Sequence, residues 1–130
     1  MIMFGFKKKE INSLTMIHHE GLPNFKQDFP CTVTLEGDCI VFAEKDGCTV
    51  KLPYGQILKV DAMSEVNFMT KYHNNKAKTK NGTVWFRVIT YTSSIGEEKY
   101  IALWNVDSKT AKFFDGLGER IKKEAAEITL

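Results

Sequence analysis

The sequence predicts a mainly β domain: seven antiparallel strands followed by one C-terminal α-helix. Three observations predict it. TVWFRVITYT (83–92) and KYIALWNV (99–106) are apolar runs rich in β-branched and aromatic residues, split by the polar segment SSIGEE with its Gly96. That is the pattern of a long β-hairpin. The segment behind it, 108–127, places its apolar residues at helical spacing. The shorter strands in front connect mostly through tight turns. No strand–helix–strand alternation interrupts them, which argues against a parallel sheet and a dinucleotide-binding fold.

Taken in order, residues 1–12 are weakly patterned: Phe4 and Phe6 are free to dock on the body while Lys7, Lys8 and Lys9 stay in water. SLTMIHHE (13–20) reads as the first strand. Gly21, Pro23, Asn24 and Pro30 break regular pairing, so 21–30 is a loop. In CTVTLEG (31–37), Cys31, Val33 and Leu35 alternate with Thr32, Thr34 and Glu36, the period of a half-buried strand. Gly37-Asp38 turns into CIVFAE (39–44), and Lys45-Asp46-Gly47 turns again into CTVKLP (48–53), where Cys48, Val50 and Leu52 share a face. Pro53 ends that strand, Tyr54 and Gly55 bend, and QILKVDAMSEVNFM (56–69) resumes a β pattern with Leu58, Val60 and Ala62 on one side. The polar loop 71–82 has no periodicity. After the hairpin, Asp107 or Ser108 caps a helix with the stripe Phe114, Leu117, Ile121, Ala125 and Ile128, widened by Phe113. Gly116 and Gly118 are poor helix formers there, and their small size permits close approach to a strand.

At 130 residues the chain, 1–130, is one domain, with no repeat and no linker to split it. Hydrophobic residues at 43% and charged residues at 26% match an ordinary globular core. A net charge of +2 gives no bulk argument for nucleic acid, and none is expected as a partner. The start MIMFGFKKKE puts its apolar residues before its lysines, the reverse of a secretory signal. No run approaches the roughly 20 apolar residues of a transmembrane helix, so the expected location is the cytoplasm. Three cysteines, Cys31, Cys39 and Cys48, cannot all pair, and their spacing is unlike that of zinc sites. They read as reduced core residues. No cofactor and no metal is expected.

Seven antiparallel strands closed by one amphipathic helix resemble the pleckstrin-homology-like superfold, including GRAM-like and bacterial PH-like domains. The step Leu52-Pro53 to Ile57 and the element Gly21-Leu22-Pro23 with Cys31 carry the local resemblance. In element order it covers 13–128. It implies a partly open antiparallel barrel, made of two bent sheets packed orthogonally and capped by the helix. Lipid-binding members grip phosphates with a basic first loop. Here HEGLPNFKQD offers only Lys26, opposed by Glu20 and Asp28.

Several constellations carry candidate chemistry. The 71–82 loop holds Lys71, His73, Lys76, Lys78 and Lys80 without an acid. With Lys26 these are the candidates for anionic lipid or another anionic ligand, set against plain solvated lysines. His18-His19-Glu20 invites a metal or acid–base reading, but strand alternation lets only His18 and Glu20 share a side and no second carboxylate or histidine lies at ligand spacing, which favours a structural role. No nucleophile, metalloprotease or phosphate-loop motif stands out, so no catalytic residue is named and an enzyme is the remote alternative. The hairpin is the most informative. A turn centred at Ile95-Gly96 sets Tyr91 opposite Tyr100, Ile89 opposite Ala102 and Arg87 opposite Trp104. One face then reads Trp85, Arg87, Ile89, Tyr91, Tyr100, Ala102 and Trp104, with Arg87 placed to stack on Trp104. The other face reads Val84, Phe86, Val88, Ile101 and Leu103. Both are apolar, so the aromatic one needs a cover. Trp85, Arg87, Ile89, Tyr91, Tyr100 and Trp104 are the protein-interface candidates. The expected function is a non-catalytic binding or assembly module working through a protein partner or homo-oligomer. A peripheral membrane module using the 71–80 lysines is the alternative.

Overall fold

In the computed structural model, which describes residues 12–45, 47–74, 84–105 and 108–126, seven strands form one continuous antiparallel sheet. The strands are β1 (Ser13–Glu20), β2 (Phe29–Leu35), β3 (Cys39–Ala43), β4 (Thr49–Pro53), β5 (Ile57–Ser64), β6 (Trp85–Thr92) and β7 (Glu98–Asn105). Two α-helices accompany them, α1 (Glu65–His73) and α2 (Lys109–Ala126). The strand order is β4-β3-β2-β1-β7-β6-β5. Antiparallel β1–β7 pairing joins the early meander to the late hairpin, so the expected two sheets are one. The sheet is not closed, and β4 and β5 are its two edges.

The alternation in the early strands is reproduced by burial. Cys31, Val33 and Leu35 are buried, Leu52 is buried, and Cys48 and Val50 pack against the same core. That core also takes Phe113, Phe114 and Leu117 of α2, with Ile121 at its margin. Ala125 is exposed and Ile128 lies outside the described residues. Gly116 rides over β2: a Cβ there would sit 3.5 Å from Leu35 Cδ1.

Three sequence expectations about local structure are corrected. The stretch 56–69 is not all strand. It stops at Ser64, whose hydroxyl accepts from the backbone N–H of Asn67 and caps α1. Ser is a preferred N-cap because it satisfies an amide that the first turn leaves orphaned. At the start of β5 a bulge between Ile57 and Lys59 turns Leu58 out to solvent, away from the side shared by Val60.

The hairpin register is also one residue away from the expected one. Ser93 N–H donates to Glu97 O, Gly96 N–H donates to Ser93 O, and Gly96 has φ +84°. This is a three-residue loop with glycine at its left-handed position, not a two-residue turn. The pairs become Phe86↔Trp104, Arg87↔Leu103, Val88↔Ala102, Ile89↔Ile101 and Thr90↔Tyr100. A one-residue slip exchanges the two faces of a strand. Trp104, Ala102 and Tyr100 therefore lie with Phe86 and Val88, while Leu103 and Ile101 lie with Ile89. Each face has its cover. Ile89, Ile101 and Leu103 pack with α2 in the larger core. Val84, Phe86, Val88 and Ala102 pack under Phe68 and Met69 of α1, with Tyr72, Tyr100 and Trp104 at the border.

Candidate functional site

The border of the α1-side core holds a connected polar cluster, and a bulge in β1 creates it. His18 pairs with Leu103 and Glu20 with Ala102, which leaves His19 as an extra residue. A bulge sets two residues of one strand against one of its neighbour and re-aims their side chains. His18 and His19 are consequently both buried, and it is His19, not His18, that joins Glu20.

His18 goes to the larger core. Leu22 N–H donates to its Nε2 at 3.1 Å, and its Nδ1 lies 3.0 Å from the carbonyl of Lys26. These bonds assign the proton to Nδ1 and leave His18 holding the 21–28 loop in place. His19 stands edge-on to both Phe68 and Phe86, with centroids 5.5 and 5.3 Å away. Its Nδ1 lies 2.9 Å from Asp28 Oδ1, and Trp104 Nε1–H donates to the same oxygen at 3.1 Å. Asp28 adopts φ +56°, a conformation Asp tolerates better than most residues. Because a carboxylate only accepts, Nδ1 donates to Asp28, and Nε2 lies 3.8 Å from Glu20 Oε1.

Glu20 is shared. His73 Nε2 lies 2.7 Å from its Oε2, and the Tyr100 hydroxyl donates to that oxygen. Burial first, then the bond to Glu20, pushes the Tyr100 hydroxyl well above the ordinary tyrosine range. His73 is the last residue of α1, fixed by the left-handed cap at Asn74. The ligand atoms of His19, Glu20 and His73 all lie within 4.8 Å of one another. His19 is buried, Glu20 is partly buried, and His73 is half-exposed, so the cluster runs from the core to solvent.

No protein-family model matches the chain, and neither does any curated protein. What the chain can do is therefore read from its own residues.

The six hairpin candidates do not share a surface. Trp85 is exposed and Ile89 is fully buried. Tyr91 packs against the α2-side core, and Tyr100 and Trp104 pack on the opposite face. Arg87 stacks on Phe114 of α2, 5.1 Å from its centroid, and not on Trp104. Burial there lowers the pKa of its guanidinium, opposed by Asp115.

Of the anionic-ligand candidates, Lys76, Lys78 and Lys80 lie outside the described residues, as do Phe4 and Phe6. Lys26 Nζ lies 4.8 Å over the Phe29 ring. Lys71 borders a recess of about 180 Å³ with Lys59, Lys99, Glu98, Tyr72 and Tyr100. Lys59 pairs with Asp61 and Lys99 with Glu97, so the recess has mixed charge.

Sequence reasoning named His73 as a cation and Glu20 and Asp28 as acids opposing Lys26, and it missed that His19 joins them. The available signal was Gly21, directly after HHE. A glycine at a strand end marks a bulge or a close backbone approach. The structure has both.

Proposed function

We propose that the chain is a non-catalytic binding and assembly module of pleckstrin-homology-like, GRAM-like architecture, working in a bacterial cytoplasm and meeting a protein partner along the outer edge of β5. The strand order and the C-terminal helix under the sheet support the architectural part. One observation carries the function: among the described residues no strand pairs with the outer side of β5, and exposed apolar side chains flank it. Leu58, at the bulge, is 55% exposed. Trp85, cross-strand partner of Ser64 at the far end, is 55% exposed as well.

An extended segment added to an open edge gains main-chain hydrogen bonds, and apolar side chains on that edge anchor it. The other edge is blunted. β4 has five residues, an exposed Lys51 and a terminal Pro53, features that discourage strand addition. β5 has eight residues.

The test places a photoreactive phenylalanine at position 58, 85 or 51 of the full chain in the cells that make it. Irradiation is expected to give one discrete protein adduct from positions 58 and 85 and none from 51. If 58 and 85 give no adduct, or the same adducts as 51, the reading fails.

A further inference from the structure

We infer that His19, Glu20 and His73 form a binding site for a first-row transition-metal dication, zinc above all. Two imidazoles and one carboxylate form a ligand set that suits zinc, whereas magnesium and calcium favour oxygen-only sites. The three ligand atoms lie within 4.8 Å of one another. Ligands about 2.0–2.1 Å from a tetrahedral zinc stand roughly 3.3 Å apart, so small side-chain rotations close the difference.

The arrangement around the ligands is the stronger argument. A metal-bound histidine holds its second ring nitrogen against a carboxylate or carbonyl, which sets the tautomer and the ring orientation. Asp28 does this for His19 at 2.9 Å, and Trp104 Nε1–H steadies Asp28. The Tyr100 hydroxyl does the corresponding work for Glu20. With Nδ1 held by Asp28, His19 turns Nε2 toward a carboxylate oxygen of Glu20, 3.8 Å away. Phe68 and Phe86 pack the His19 ring on its buried side, while half-exposed His73 leaves a way in from solvent.

On binding, the metal replaces the proton on His73 Nε2, and by exchange with solvent the coordinated ring stands neutral with its proton on Nδ1. Three protein ligands leave a further coordination position to water. The site would tie the bulge of β1 to the last residue of α1, two points 53 residues apart in the chain.

The experiment titrates the full chain, with reduced thiols and no chelating buffer, with zinc chloride in a calorimeter and with Co(II) by visible absorption. Expected are one zinc per chain, a raised unfolding midpoint with zinc but not with magnesium, and Co(II) bands without a thiolate charge-transfer feature. His73→Ala and Glu20→Gln should lose more affinity than the roughly 10–100-fold that removal of an outer-shell carboxylate costs, and Asp28→Asn should lose about that much. The metal-free unfolding midpoint of His73→Ala, a change at a half-exposed helix end, should stay close to that of the parent chain. The proposal is overturned if zinc does not bind saturably, if both ligand variants bind as tightly as the parent chain, or if Co(II) reports thiolate ligation.

Discussion

Gly21 is seated against the backbone of β7. Its φ is +111°, and a Cβ there would overlap the Tyr100 carbonyl oxygen and approach Ile101 Cα at 2.8 Å. Both the backbone conformation and the space require glycine. Gly21→Ala should therefore lower the unfolding free energy by about 1–3 kcal/mol, the usual cost of a strained backbone position, as read by urea denaturation. Stability within a few tenths of a kcal/mol of the parent would contradict the close approach. Residue identities were legible where a short period governs them. Cys31, Val33 and Leu35 alternate in sequence and are buried in the structure. The partnership of His19 with Asp28 and of Glu20 with Tyr100 was not, because it depends on a bulge and on residues up to 80 positions apart.

At the level of elements, α2 offers a direct test. Gly118 sits inside the helix, and a Cβ added there meets nothing within 4 Å. Gly118→Ala should stabilise the protein by up to about 1 kcal/mol, the helix-propensity difference between the two residues, seen as a raised thermal midpoint. A lowered midpoint would show that the position is not open. The strands and α2 were legible because their apolar periods run long enough to exclude the alternative. Helix α1 was not. In 56–69 the apolar residues Val66 and Phe68 continue the two-residue alternation of β5, and the Ser64 cap is a weaker signal than that continuity. The hairpin was legible as an element and misread in register. Whether Gly96 ends a two-residue or a three-residue loop is decided by the turn geometry, and on that one residue depends which side chains share a face.

Across the whole molecule, burial holds several weak acids in their neutral form. Burial, followed by the nearby charge of Glu44, pushes the Cys31 thiol up from 9.0 to about 12. Burial is the first cause that raises Cys39, Tyr54 and Tyr100 too. The unfolded chain releases these protons at lower pH than the folded chain does. Above pH 9.0 the folded state therefore binds more protons, and stability falls as pH rises. Cys31 alone contributes a slope of up to about 1.4 kcal/mol per pH unit between those two values. Urea midpoints measured from neutral pH upward should be level and then decline from near pH 9, and a flat profile would contradict the burial of these groups. The continuous sheet shields Cys31 and Tyr54 together: β1–β7 pairing lets one core run from the early meander under the late hairpin.

The extra residue in β1 has a consequence for how this strand can change. Up to Ile17 the strand alternates in step with β2, and its parity is set by that pairing. Past His18 the count is odd by one. Removing a single residue there would restore even parity and leave the ladder with β7 nearly intact. Yet with either His19 or Glu20 removed, the survivor alone would stand opposite Ala102, and the cluster would lose one of its members. The polar cluster therefore depends on the one residue that the ladder with β7 does not need. The length of β1, as much as its composition, encodes the site.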